Sequence, residues 1–245
     1  TRTKTRTKPK GANTDMECYS FTKPGRLHLK NGEKNQDQLF GIRSRDRIAV
    51  CLSDGCSTAS HGLAAAQQIV TLTARMFYDQ FYELLLDDPD TVRRKICAVL
   101  QPALRTFAKQ QGVEPEALAA TLIVFAADGT GRYLCAHLGD GCILMQPPGA
   151  EAAAFSTISA PSCGIAPHST YLTMNTNMMQ HLKVYRSLRP VRGKFLLLTD
   201  GADDLLRSKP PKDRLLCPFS GPELECYLDE QHPLDDYSAA IVTIS

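Results

Sequence analysis

The 245-residue chain has no apolar run long enough to cross a bilayer: stretches such as 195–198 and 239–242 fall far short of the roughly 20 residues a spanning helix needs. No apolar signal-peptide core stands near its beginning, so nothing in the sequence directs export. Its nine cysteines are odd in number, and no pair has the CxxC spacing of a zinc knuckle or dithiol redox motif. Cys51 and Cys135 fall inside apolar strand-like runs, where a reduced thiol packs as a small hydrophobe. These absences predict a cytoplasmic protein with reduced thiols and no membrane partner. Acidic residues are missing from positions 1–10, which carry five of the chain's 28 basic side chains. That excess accounts for the whole net charge of +2, since the rest of the chain is slightly acidic. Residues 1–19 therefore read as a basic, disordered, solvated tail rather than a nucleic-acid-binding arm.

What is present is ordinary for a globular domain, with 43% hydrophobic and 22% charged residues. The run 47–53 reads as a buried strand ending at Asp54-Gly55. Leu63, Ala66, Val70, Phe77, Phe81 and Leu84 predict a helix with Ser60 as a cap. Val92, Ile96, Leu100 and Leu104 predict a second, capped by Asp90 or Thr91 and ended by Gly112. A β meander follows over 120–127, 132–138 and 142–146, then a loop or flap over 147–168. Further strands are expected at 169–174, 181–187, 194–199 and 238–244, with Ser220 and Glu223 opening a short helix. With no repeat and no linker, residues 20–245 are expected to form one monomeric α/β domain: a sandwich of strands flanked by helices around a single core.

Besides the hairpin turn that starts at Asp128-Gly129, three Asp-Gly pairs stand at strand ends, Asp54-Gly55, Asp140-Gly141 and Asp200-Gly201, and Asp235-Asp236 precedes the last strand. Singly, each is a common turn. Together they can bring carboxylates to one pole of a sheet, where they would repel one another unless cations neutralise them. Hard divalent ions such as Mg or Mn take such oxygen ligands and keep several waters. A glycine beside each aspartate would let a carbonyl or a bulky substrate come close.

The order KNQDQLF, IAVCLSDG, AATLIVFAADGTGRYLCAHLGDG, KFLLLTDG and DDYSAAIV resembles the type 2C metal-dependent serine/threonine phosphatases. GRLHLKNGEKNQD and STYLTMN look most like the bacterial branch. The resemblance spans about residues 20–245 and implies two antiparallel sheets flanked by helices in α-β-β-α layers. It implies hydrolysis of phosphoserine and phosphothreonine by a metal-bound hydroxide, on phosphoproteins made by an opposing kinase. It further implies that Asp54 bridges two Mn or Mg ions and that Gly55 adds a carbonyl. Asp200 and Asp235 are the other direct ligands, Asp37 contacts a metal or its water, and Asp140 helps hold a weaker third ion beside Asp200.

Two positions depart from that pattern. Gly32 stands where many members have a phosphate-gripping arginine, leaving Arg26, His28, Lys30 or Lys34 as substitutes. Cys56 stands where some have a histidine proposed as general acid, with His61 the nearest alternative. A non-catalytic binding module of the same fold, or a two-metal hydrolase of small phosphoesters, are the competing readings.

Overall fold

A computed structural model describes residues 15–149, 155–163, 170–208 and 220–245. In chain order the described elements are β1 (Met16–Lys23), α1 (Arg26–Asn31), β2 (Asp37–Arg43), β3 (Arg47–Asp54), α2 (Gly62–Asp79), α3 (Phe81–Leu86) and α4 (Pro89–Gln111). After a short 3-10 turn come β4 (Leu122–Asp128), β5 (Tyr133–Leu138), β6 (Cys142–Gln146), β7 (Ser156–Ser159), α5 (Met178–His181), β8 (Lys183–Ser187) and β9 (Gly193–Leu198). The chain closes with α6 (Asp200–Ser208), α7 (Gly221–Glu230) and β10 (Tyr237–Ile244).

The strands make two five-stranded antiparallel sheets, ordered β1-β10-β9-β6-β7 and β2-β3-β4-β5-β8. Alternate residues of a strand face opposite ways, so each sheet feeds two apolar layers. Val50, Leu52, Phe125, Phe195, Leu197 and Val242 fill the space between the sheets. Cys51, Val124 and Ala136 face the other way, against Ile69, Phe77, Ile96 and Leu104 of α2 and α4. Leu196, Leu198 and Ile241 meet Leu206 of α6 and Leu224 and Leu228 of α7. The expected α-β-β-α sandwich is the observed one.

Several expectations need correction. β1 begins at Met16 and pairs with β10 along its full length, so the ordered domain starts before residue 20 and takes 16–19 from the expected tail. The rest of that tail, 1–14, lies outside the described residues. The single helix expected through Leu84 is two, α2 and α3, separated at Gln80, and α3 buries Phe81, Leu84 and Leu85. Asp88, not Asp90 or Thr91, caps α4, accepting from the Thr91 amide at 3.0 Å with Pro89 at the first turn. His61, not Ser60, is at the cap position of α2, and no side chain caps it. The flap contains a strand, β7. Among the described residues of 169–174 there is only an isolated bridge from Thr170 to Cys163, followed by turns.

Candidate active site

Register brings the aspartates to one edge. β2 starts at Asp37 and β3 ends at Asp54, and antiparallel pairing sets these two directly opposite each other. β9 ends at Leu198, beside the start of β6 at Cys142 and near the start of β10. Asp200, Asp140 and Asp235 follow or precede those same strand ends. The Asp37 carboxylate ties the two sheets together there: its Oδ2 accepts from Thr199 Oγ1 at 2.7 Å, and Thr199 Oγ1 in turn accepts from the Ser238 amide at 2.9 Å. Asp140 is fixed in its turn by the Thr170 hydroxyl.

The electrostatics follow from crowding like charges out of water. Asp37 is fully buried, and its carboxyl is pushed up to about 7. Burial is the main cause, and the charges of Asp200 and Asp236 add to it against lowering hydrogen bonds from Thr199 and Ser238. Asp200 is pushed up to about 8 by burial, then by Asp54, Asp140 and Asp235. Asp54 is raised well above the ordinary carboxylate range by burial, then by Asp37, Asp140 and Asp235. Among the described residues, Asp37 Oδ1 is buried without a donor. Every donor here is a hard oxygen, and an orphaned carboxylate oxygen beside mutually repelling acids fits a divalent cation. Among the described residues, no three His, Cys, Asp or Glu side chains close into a finished coordination shell. The aspartates share one end of the two sheets, and oxygen donors placed so suit ions that keep part of their water.

The family model for Protein phosphatase 2C matches residues 24–235. The chain belongs to the protein phosphatase 2C family. That family is one of metal-dependent protein serine/threonine phosphatases. Solved bacterial structures agree in fold. The serine/threonine phosphatase Stp1 from Staphylococcus aureus superposes with a TM-score of 0.68 at 16% identity, covering 98% of this chain and 100% of its own. The S. agalactiae serine/threonine phosphatase gives 0.70 at 14%, covering 94% and 100%. RsbX, solved in complex with magnesium, gives 0.61 at 14%, covering 94% and 96%. No curated protein sequence matches the chain.

Within this type 2C fold the last two acids play different parts. Asp235 is exposed at the rim, whereas Asp236 is buried, and its oxygens accept from the Gly25 amide at 2.7 Å and the Gln36 amide at 2.6 Å. His28 Nδ1 lies 2.8 Å from the same carboxylate. Burial works against a charged His28, but Asp236 with Glu33 outweighs it and raises the imidazole's affinity for a proton. Asp236 thus pins the segment before Asp37 onto the segment carrying Asp235. Sequence reasoning missed this clamp. The doubled Asp-Asp was its only signal, and nothing there said which acid turns inward.

The glycines let a backbone carbonyl come close, as expected, and the space beside each is filled by the chain itself rather than left for substrate. A Cβ at Gly55 would sit 2.5 Å from the Gly62 carbonyl carbon, at Gly141 2.4 Å from the Leu198 oxygen, and at Gly201 2.1 Å from the Asp236 oxygen. They let backbones meet, which is how α2 and α6 start so close to the aspartates.

Gly32 ends α1 at φ 69 with open space around it, so no side chain there can grip a ligand. His28 is occupied by Asp236. Cys56 Sγ lies 3.1 Å from Thr58 Oγ1, and His61 Nδ1 is 3.0 Å from Ser60 Oγ. The cysteines among the described residues are all free. Among those residues, no helix is long and apolar enough to cross a membrane.

Proposed function

We propose that the chain removes phosphate from phosphoserine and phosphothreonine in protein substrates, opposing a serine/threonine kinase. The observation that carries this reading is the trio of buried Asp37 and half-buried Asp54 and Asp200, gathered at the same end of the two sheets, each pushing the next toward protonation. Such a cluster is stable and charged only beside cations. Asp54, Asp200 and Asp235 are the direct ligands in this proposal, with the Gly55 carbonyl, and with Asp37 touching an ion or its water. Asp140 with Asp200 would hold a weaker third ion. When bound, two Mg or Mn ions would supply an activated water and counter-charge for the phosphoryl group.

The chain's own groups set this up. Thr199 and Ser238 orient Asp37, Asp236 fixes the Gln36–Asp37 backbone through the Gln36 amide, and Thr170 holds Asp140. The free thiols support a reducing, cytoplasmic setting. One observation favours a second reading, a non-catalytic phosphoprotein-binding module: the open, side-chain-free space at Gly32. Phosphate release from a phosphothreonine peptide with Mn or Mg, and its loss on chelation, separates the two. A metal-loaded chain that binds the peptide without turnover would establish the second.

A further inference from the structure

The helix α1 buries no side chain, yet it is pinned against the site. The Arg26 and Leu27 amides donate to the Pro233 and Leu234 carbonyls at 2.9 and 3.1 Å, and Asp236 holds the Gly25 amide. Leu27 and Leu234, joined through their backbones here, are 53% and 57% exposed, so apolar side chains stand at this rim without serving the core. Beside them lies a cleft of about 350 Å³, lined by Arg26, Gly201, Leu205, Pro233, Leu234 and Asp235 among others. Gly201 and Asp235 belong to the aspartate edge as well, so the cleft is continuous with the candidate active site.

Arg26 is exposed, and among the described residues its guanidinium forms no salt bridge. Lys30 and Lys34 do not line this cleft, and His28 is turned to Asp236. Two acids also line it. Asp235 belongs to the aspartate edge, and Asp204 already has an interaction of its own. We propose that this cleft is the subsite for the polypeptide flanking the phosphorylated residue. It takes an apolar side chain against Leu205, Pro233 and Leu234, and an acidic side chain paired with Arg26. This rests on the phosphatase reading, because a phosphoresidue held at Asp200 and Asp235 must lead its chain out over a neighbouring rim. A guanidinium with no partner of its own selects a carboxylate by charge and fork geometry.

The test uses the full chain with Mn and a phosphothreonine peptide carrying Glu, Ala or Lys two residues from the phosphoresidue, on either side in turn. The expected result is that kcat/KM for the Glu peptide exceeds that for the Lys peptide by about threefold on one side, the size of an exposed ion pair. Arg26→Glu should invert that order, a readout that a general loss of folding cannot produce. Equal rates for Glu and Lys peptides in the wild type, or a Glu preference that survives Arg26→Glu, would overturn the proposal and leave the phosphatase reading intact. If no peptide is hydrolysed, the phosphatase reading fails. Fluorescence anisotropy with the same labelled peptides then decides the subsite: a Glu-over-Lys order that Arg26→Glu inverts supports it, and equal binding overturns it.

Discussion

Asp37 shows at the scale of a single residue how structure and proposed chemistry share one group. It joins the two sheets through Thr199 while leaving one buried oxygen without a donor. Its neighbours Asp54 and Asp200 add charge that folding alone has no use for. Asp54→Asn and Asp200→Asn should therefore each remove nearly all activity. Unfolding by urea without metal should show stability unchanged or raised, since a repulsive charge is gone. Asp140→Asn should differ, keeping a high-affinity phase in a metal titration while turnover falls and more Mn or Mg is needed to recover part of it. Unchanged kinetics for Asp140→Asn would make it a turn residue only, since Asn also suits such a turn. A fully active Asp54→Asn would remove that residue from the site. At this scale the sequence showed which aspartates come together at one end of the sheets, because each stands at a strand end. It did not show that Asp236 turns inward while Asp235 stays at the rim.

Among the elements, legibility follows burial periodicity. α4 was readable because Val92, Ile96, Leu100 and Leu104 keep one face buried and Gly112 stops it in the left-handed region. α1 was not, because a helix that buries nothing leaves no periodic signal. β1 escaped notice because only Met16 and Phe21 are buried along it, and its strand form comes from pairing with β10. α6 was hidden by its own first residues, since Asp200-Gly201 reads as a turn. What lets a helix begin there is the contact of Gly201 with the Asp236 carbonyl. Gly201→Ala would drive a Cβ to within 2.1 Å of that oxygen. It should cost about 1–3 kcal/mol of stability in urea unfolding, by overpacking, and lower activity as the Asp235 segment shifts. An alanine variant as stable and active as the wild type would show that this approach is loose.

For the whole molecule, the sandwich itself was legible, since alternating strands with apolar helices on both sides admit few packings. Its pH response is not set at the aspartates alone. His137 of β5 is buried, its Nδ1 lies 2.7 Å from Ser159 Oγ of β7 in the other sheet, and its Nε2 has no partner among the described residues. Burial, helped by the charge of Lys183, pushes it down to about 3 from an ordinary 6.5. Between those values the unfolded chain takes up a proton that the folded one refuses, so stability falls as pH falls through that window and is fully present above it. His137→Asn should flatten the wild-type decline there by up to about 1.4 kcal/mol per pH unit, read from urea midpoints across pH. Parallel profiles for the two proteins would contradict it. If the aspartate edge works only with divalent cations, phosphate release from a phosphothreonine peptide by the purified chain, first with Mn or Mg and then with excess EDTA, reads it out without intermediaries. Turnover with metal, abolition by EDTA and recovery when metal is restored are expected; equal turnover in EDTA would contradict a metal-dependent site.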